Sequence, residues 1–503
     1  MSLLDDTRTL LLEAQASLAG TTAGAELATI IERLDGPLRV AIAGRVKAGK
    51  STLLNALVGQ PVAATDAREC TRVVTWYRHG PTPAALALHK DGSTAALAIE
   101  HDERGRAAVV VHDEAIADLH AIHVFAPSAE LTSLSLIDTP GVGSITLDAE
   151  ARSTDFLGGS GGDTEADAVL YLLKHLDSSD LGLLSAFHDD AVSQPNPINA
   201  IGVLSRADEV GSGRPDAMQS AERVANRIAG VANVRRLVST VVPVCGLLAE
   251  TAATLTEADY ELLANVAALP HDQRRAALLS ADRFRSLAAA GELTAADCEH
   301  LLNRLAMFGL RTAVTAIAGG AAPTADDLAR LLTRVSGIAD VRSLLHSVFA
   351  ERGDVLKARS ALVGLDSSLQ RLGTHPAVDG LARRLEQVVA SAHEIQELRI
   401  LAALRLDPPD APDELVAEAE RLLGAGGQAP HRRLGLLETA THDQQLDAAR
   451  HALKTWQHRA EHPLSSVELV SLCRIVIRSC EGLISELLAG SAPPESASDL
   501  GAP

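Results

Sequence analysis

Between Leu38 and Ala249 the chain is written in short apolar runs broken by turn residues, whereas nearly everything after it carries longer stripes at helical spacing. The first regime predicts strands. Leu38–Ala43, the VVTWYR run from Val73, Leu134–Ile137, Ala166–Leu173, Asn199–Ser205 and the stretch from Thr240 to Ala249 all read this way. Residues 82–126 alternate AALALH, AALAIE, AAVVVH and AIHVFA with turns, so they read as a β-rich extension of the same sheet. Ahead of it, residues 2–35 read as two helices, one with Leu4, Leu11 and Leu18 spaced by seven, the other with Leu27, Ile30, Ile31 and Leu34 on one face. Beyond residue 250, Val341, Leu345, Val348, Val355 and Leu362 form a heptad-like stripe, as do Leu381, Leu385, Val388, Ala392 and Ile395. Ser465–Glu468 (SSVE) reads as a capping box opening a helix with Leu469, Leu472, Val476, Cys480, Leu483 and Leu487 on one face. The pattern predicts a mixed, mostly parallel α/β sheet with helices on both faces, then an elongated α-helical bundle. The expected divisions are N-terminal helices at 1–35, a nucleotide-binding domain at 36–250, a helical bundle at 251–488 and a disordered tail at 489–503.

One junction in that pattern carries chemistry. The Leu38 strand gives way at Gly44 to a loop fitting G-x-x-x-x-G-K-[ST], with Gly49, Lys50 and Ser51, and STLLNALV continues as a helix. Such a loop turns backbone N–H groups inward and sets a helix N-terminus behind an anion, so Gly44, Arg45, Val46, Lys47, Ala48, Gly49, Lys50, Ser51 and Thr52 form a candidate phosphate cradle. Lys50 is expected to bridge the β- and γ-phosphates and Ser51 to ligate Mg²⁺. Thr65, Asp66 and Thr71 follow in a polar loop; Thr71, just ahead of the next strand, is the candidate for Mg²⁺ and the γ-phosphate. The Leu134 run ends in D-T-P-G, where Asp138 would hold Mg²⁺ through water and the Gly141 N–H would sense the γ-phosphate. Val142 cannot hydrogen-bond a water through its side chain, so the nucleophile must be activated by another group. The polar, glycine-rich run from Gly143 to Asp167 reads as a mobile switch segment. After the Asn199 strand comes Ser205–Asp208 (SRAD), where Asp208 can accept from the guanine N1–H and exocyclic amine, a donor pair adenine lacks, and the Arg206 guanidinium can stack on a base. Gly246 allows close approach to the guanine oxygen. The ligands implied are GTP and Mg²⁺.

Composition narrows the partners. Against 45 Lys and Arg stand 65 Asp and Glu, a formal charge of −20, which disfavours nucleic acid as a partner. Aromatic residues are 2% of the chain while apolar residues are 47%, so the core must be aliphatic and suited to closely packed helices. Five cysteines, Cys70, Cys245, Cys298, Cys473 and Cys480, form no CxxC pair and imply reduced thiols in a cytosolic protein. No leader pattern opens the chain and no apolar run is long enough for a bilayer span, so any membrane is expected to be met peripherally.

Taken in order, GRVKAGKST, ARECTRVVTWYRHGPTP, LIDTPG, GVLSRADEVGSGRPDAM, MFGLRTAV and WQHRAEHPL resemble the bacterial dynamin-like proteins, and among them the isoniazid-inducible IniC type of mycobacteria and related actinobacteria. The resemblance spans nearly the whole chain. It implies a GTPase head on a helical neck and trunk, head-to-head self-association driven by GTP, and a trunk tip that binds lipid to remodel or cut membranes from the cytoplasmic face. Lys47 stands where dynamins commonly place a serine that helps hold a monovalent cation, so its ammonium could offset transition-state charge; the alternative is a lysine facing solvent. Val46 stands where dynamins place a glutamine-like residue that helps position water. For the lipid contact, Arg432, Arg433, Leu434 and Leu436 in APHRRLGL combine basic and apolar groups suited to anionic headgroups, with Leu404–Pro412 and Ile317–Pro323 as rival loops. Two other readings stay open: a soluble regulatory or assembly GTPase, and a nucleotide-gated tether without fission activity.

Overall fold

Strand β1 (Leu38–Gly44) is buried along its whole length, because it lies in the middle of a sheet covered on both faces. The computed structural model describes residues 2–45, 47–60, 73–101, 107–109, 118–139, 166–174, 197–210, 213–373, 375–406, 408–409, 411–463 and 465–490. The other strands are β2 (Val74–His79), β3 (Ala84–His89), β4 (Thr94–Leu97), β5 (Ile99–His101), β6 (Ala107–Val109), β7 (Leu119–Ala126), β8 (Leu134–Asp138), β9 (Ala168–Leu173), β10 (Ala200–Ser205) and β11 (Val241–Val244). Nine of them make one sheet in the order β11-β10-β9-β1-β8-β2-β7-β3-β4. From β11 to β8 every pairing is parallel; β2 is antiparallel to β8 and parallel to β7, and β3 and β4 continue antiparallel. The β-rich extension thus joins the main sheet through β3, β4 and β7, while β5 and β6 pair as a separate ribbon.

Chain contacts divide the protein into Met1–Ala382 and Arg383–Pro503. In the first unit, α1 (Leu3–Ser17) and α2 (Thr22–Asp35) precede the sheet, and α3 (Lys50–Val58) covers one face of it. Helices α4 (Ala217–Ala229) and α5 (Ala232–Arg235) follow β10, and α4 covers the opposite face with Ala221, Ala225 and Ile228. After β11 come α6 (Gly246–Ala253), α7 (Glu257–Ala268), α8 (His271–Ala277), α9 (Ala281–Ala289), α10 (Ala295–Ala318) and α11 (Ala325–Val335), which share a helical core built on Leu263, Phe284, Leu301, Leu305, Phe308 and Leu328. Helix α12 (Ile338–Leu344) runs through a π turn (Leu345–Phe349) and a 3-10 turn (Ala350–Arg352) into α13 (Gly353–Leu372).

Here the periodicity misleads. Val341, Leu345 and Val348, expected in a bundle core, pack instead with Leu54, Leu57 and Val124 against the sheet. A seven-residue repeat specifies that a face is buried but not what buries it. Helix α13 packs on α1 and α2: Lys357 Nζ donates to the carbonyls of Leu34 at 3.1 Å and Gly36 at 3.4 Å, and Arg371 pairs with Glu26.

The remaining helices are α14 (Val378–Ser391), which crosses the boundary between the units, and α15 (His393–Leu406), α16 (Asp413–Leu422), α17 (Pro430–Leu434), α18 (His442–Ala460) and α19 (Val467–Gly490). In the second unit α18 and α19 pack side by side, with Trp456 fully buried beneath the Arg459 guanidinium at 4.7 Å. Ser466, not Ser465, caps α19 by accepting from the Leu469 N–H, so Val467 becomes the first helical residue and is 78% exposed. A second correction concerns the lipid contact. Arg433 and Leu434 are buried, so neither is available to a bilayer. Arg433 lies there because Glu397 beside it is also buried: Nη2 donates to Glu397 Oε1 at 2.8 Å and Nε to the Leu422 carbonyl at 2.7 Å. Arg432 is exposed and Leu436 half-buried. The tail beyond Gly490 lies outside the described residues.

Candidate functional site

The loop after β1 is set by two glycines. Gly44 has φ +145°, and a Cβ there would sit 2.8 Å from the Leu172 carbonyl oxygen of neighbouring β9, so only glycine lets the chain leave the sheet at this point. Gly49, at φ +95°, opens α3 without a side-chain cap, which leaves the first N–H groups of that helix to an anion. Between them Ala48 is buried and its N–H donates to the Arg45 carbonyl at 3.1 Å.

Lys50 is 5% exposed. Its Nζ donates to the Gly44 carbonyl at 3.1 Å and the Arg45 carbonyl at 3.3 Å, so in this state the ammonium is folded back on its own loop. Burial pulls its pKa below the usual lysine value, opposed by the charge of Asp138. Asp138, at the C-terminal end of β8, has its own pKa pushed up to about 6 by burial, with the Lys50 charge and a hydrogen bond from Ser51 acting the other way. Ser51 Oγ lies 3.4 Å from Asp138 Oδ2. The second carboxylate oxygen, Oδ1, is enclosed and has no hydrogen-bond partner among the described residues. A buried carboxylate oxygen without a donor, beside a hydroxyl, is a hard-oxygen pair whose chemistry fits Mg²⁺.

Across the loop stands the candidate base side. β10 and β11 end level, with Ser205 opposite Val244, so the loop after one and the helix after the other emerge side by side. Ser205 Oγ donates to the Leu173 carbonyl at 3.3 Å, anchoring the strand end. Arg206, at φ +54°, donates from Nη2 to the Lys47 carbonyl at 2.9 Å and from Nη1 to Glu209 at 2.8 Å, while Lys174 also reaches Glu209 at 3.0 Å. Lys47 is itself left-handed, at φ +63°, and its side chain is exposed. Two non-glycine residues in the sparsely populated left-handed region, joined by one hydrogen bond, fix the phosphate loop to the base loop. Asp208 sits half-exposed in the following 3-10 turn, with the Cys245 thiol beside it; burial first, then the Asp208 charge, raises that thiol well above its usual value. Gly246 starts α6, and a Cβ there would meet Thr52 Cγ2 at 3.5 Å, so the base side touches the first turn of α3.

Gly44, Arg45, Lys47, Ala48, Gly49, Lys50, Ser51, Thr52, Asp138, Ser205, Arg206, Asp208 and Gly246 are therefore brought to one end of the sheet. Val46, Thr71, Gly141 and Val142 lie outside the described residues, as do Thr65 and Asp66 and nearly all of the Gly143–Asp167 run. Three contributors escaped the sequence reading. Thr139 donates from both N and Oγ1 to the Ile42 carbonyl, holding the Asp138 strand end to β1, and was legible only as part of D-T-P-G. Cys245 had only its place before Gly246 to mark it. Asn55 donates to Glu250 at 2.8 Å, tying α3 to α6, and nothing in the sequence signals that pairing.

With that geometry in place, residues 40–173 match the family model described as "Dynamin family". The chain is 38% identical over 466 residues to "Isoniazid-induced protein IniC" of Mycobacterium tuberculosis, covering 92% of this chain and 93% of that relative. It is 34% identical over 140 residues to "Isoniazid-induced protein IniA" of the same organism, covering 27% of this chain and 21% of that one. A "Bacterial dynamin-like protein" of Nostoc punctiforme matches at 39% identity over 59 residues, 12% of this chain and 8% of that one.

Proposed function

The chain belongs to the bacterial dynamin-like proteins of the IniC type and is a GTP hydrolase, and from that premise we propose that it uses Mg²⁺, self-associates through the nucleotide-binding domain and remodels membranes, cutting them in the course of its cycle. The observation that carries the nucleotide part is the enclosed trio of Lys50, Ser51 and Asp138 at the start of α3. Ser51 and Asp138 would hold Mg²⁺, which when bound neutralises charge on the β- and γ-phosphate oxygens. Lys50 would exchange its two loop carbonyls for phosphate oxygens, giving the ammonium charged acceptors in place of neutral ones. Arg206 sets the height of the Lys47 peptide, and the exposed Lys47 ammonium is free to meet charge that develops on the leaving phosphate. Asp208 would accept from the guanine N1–H and amine.

The membrane part rests on family membership and on a local surface. Arg432 and Leu436 remain candidates, joined by Leu437 at 79% exposed. The contact would be peripheral, on the inner face of the cell membrane, with anionic lipid as the partner.

The test is GTP and ATP turnover with and without anionic liposomes, beside Lys50→Ala, with vesicle pelleting on the same samples and tubule scission scored by microscopy. Turnover that prefers GTP, falls at least a hundredfold in Lys50→Ala and accompanies pelleting and scission supports the reading. Pelleting without scission leaves a tether; turnover without pelleting in any nucleotide state leaves a soluble regulatory GTPase.

A further inference from the structure

We infer that α10 is a clamp on the guanine side of the site, in which Arg311 and Arg304 act as positioning residues for the two segments that read the base. The inference rests on the assignment of Asp208 as the guanine-reading carboxylate.

The Asp208 turn and the start of α6 are both ends of chain leaving the sheet, and among the described residues neither has a strand neighbour beyond Ser205 and Val244. Beside the bonds from Arg206, from Asn55 and from the Cys245 N–H to the Ser336 carbonyl at 2.9 Å, a helix far along the sequence adds its own hold. Arg311 lays one guanidinium across three backbone carbonyls: Nη1 donates to Gly213 at 2.5 Å, Nε to Leu278 at 2.8 Å and Nη2 to Leu279 at 2.8 Å. Gly213, at φ +68°, turns the loop back toward Asp208, whose carbonyl oxygen lies 3.9 Å from the position a Gly213 Cβ would take. Seven positions earlier, Arg304 donates from Nη2 to the Thr254 carbonyl at 2.9 Å and its hydroxyl at 2.8 Å, while the Thr251 hydroxyl donates to the Arg304 carbonyl. Those groups close the C-terminal end of α6, whose other end carries Cys245 and Gly246 beside Asp208.

Two further features make α10 specific to this task. A Cβ at Gly309 would lie 2.9 Å from Leu248 Cδ1, so α10 and α6 pack closely there and a larger residue would have to displace the leucine side chain. Ala306, at φ +48° and ψ −171°, breaks the helix between the two arginines. An unbroken helix would aim residues seven apart along one line; the break lets Arg304 address α6 and Arg311 address the Gly213 loop. A planar fork serving three fixed carbonyls cannot be replaced by an ammonium, which reaches only as far as one flexible stem allows.

The chemistry gives a readout that loss of stability would not. Inosine triphosphate lacks the exocyclic amine, so the ratio of KM for ITP to KM for GTP measures how well Asp208 is placed for two donors rather than one. Arg311→Ala is expected to raise KM for GTP about tenfold, the loss of roughly one well-placed hydrogen bond to a charged group, to compress the ITP/GTP ratio toward one, and to leave kcat within twofold. Arg311→Lys should fall between, and supplies the same ratio should the alanine variant not fold. Asp208→Asn is measured alongside with xanthosine triphosphate, whose second carbonyl suits an amide donor. A shift of preference to XTP together with a compressed ratio in the Arg311 variants supports the clamp. The XTP shift with a wild-type ratio and KM in both Arg311 variants overturns it while sparing the base assignment. No XTP shift overturns the base assignment and the clamp with it.

Discussion

At the scale of the single residue, Asp138 carries the clearest conflict between folding and chemistry. Its carboxyl is raised to about 6 from an ordinary 3.8 because burial penalises the charge more than Lys50 and Ser51 reward it. A raised carboxyl makes the native state the better proton acceptor, so in the absence of metal and nucleotide its contribution to stability is lost as pH climbs from about 4 through 6 and stays lost above. Asp138→Asn removes that charge without changing shape. In metal-free buffer at pH 8 it is expected to be more stable than the parent by on the order of 2 kcal/mol, read by thermal or urea unfolding. At pH 4.5 the difference should shrink to about a third of that, and it should vanish only below about pH 3.5. If Asp138 holds Mg²⁺ as proposed, Mg²⁺ and a proton compete for one carboxylate, and apparent Mg²⁺ affinity should fall about tenfold per pH unit below 6, measured by magnesium-dependent nucleotide binding. A parent and variant that unfold alike at pH 8 would mean that the carboxylate is solvated and the orphan oxygen has water for a partner.

Among the elements, those of the proposed phosphate site were legible and those proposed to steady the base were not. The strand, loop and helix around Gly44 follow from a local rule in which a continuous apolar run, two glycines and a helical stripe each fix their own backbone. Gly44→Ala tests that rule. With φ at +145° and the new Cβ 2.8 Å from the Leu172 carbonyl oxygen, the variant must move β1 away from β9, and we expect about 2 to 4 kcal/mol of lost stability and no measurable nucleotide binding. A variant that binds GTP normally would show that the loop relaxes without the sheet. By contrast, SRAD was readable as a motif while the contact that gives Arg206 its position, the Lys47 carbonyl, joins residues far apart in the chain. The same limit explains Val341, Leu345 and Val348, whose stripe was visible but whose cover, the sheet, was not. Arg433 shows the limit from the other side: arginine in a glycine-rich loop suggests a surface, and only the fold reveals Glu397 beneath it. Sequence pattern reports what a segment buries, and tertiary packing decides against what.

For the molecule as a whole, the proposed lipid contact has to bring a chain of formal charge −20 to an anionic surface. Long-range electrostatics opposes the encounter, so a lipid contact has to be local and partly apolar. Among the described residues no helix is long and apolar enough to cross a bilayer. Leu437 is the most exposed large apolar side chain among them, at 79%, and it follows Leu436 two residues after the short helix that carries Arg432. Inserting one leucine is worth about 1.5 to 3 kcal/mol, enough to decide whether a weak peripheral contact holds. Leu437→Ser is therefore expected to cut pelleting with anionic vesicles about tenfold while leaving lipid-free GTP turnover unchanged. Arg432→Ala should add to that loss and make the residual binding less sensitive to salt. Arg433→Ala belongs to a different class, because it takes the guanidinium away from the buried Glu397 carboxylate and leaves it only Ser479 and His393 as partners. It should lower thermal stability by about 3 kcal/mol or more whether or not lipid is present, and a pelleting defect in that variant says nothing about the surface. If Leu437→Ser pellets like the parent while Arg433→Ala merely unfolds, the lipid contact moves to the loops at Leu404–Pro412 or Ile317–Pro323, and the pair of variants separates those outcomes in one experiment.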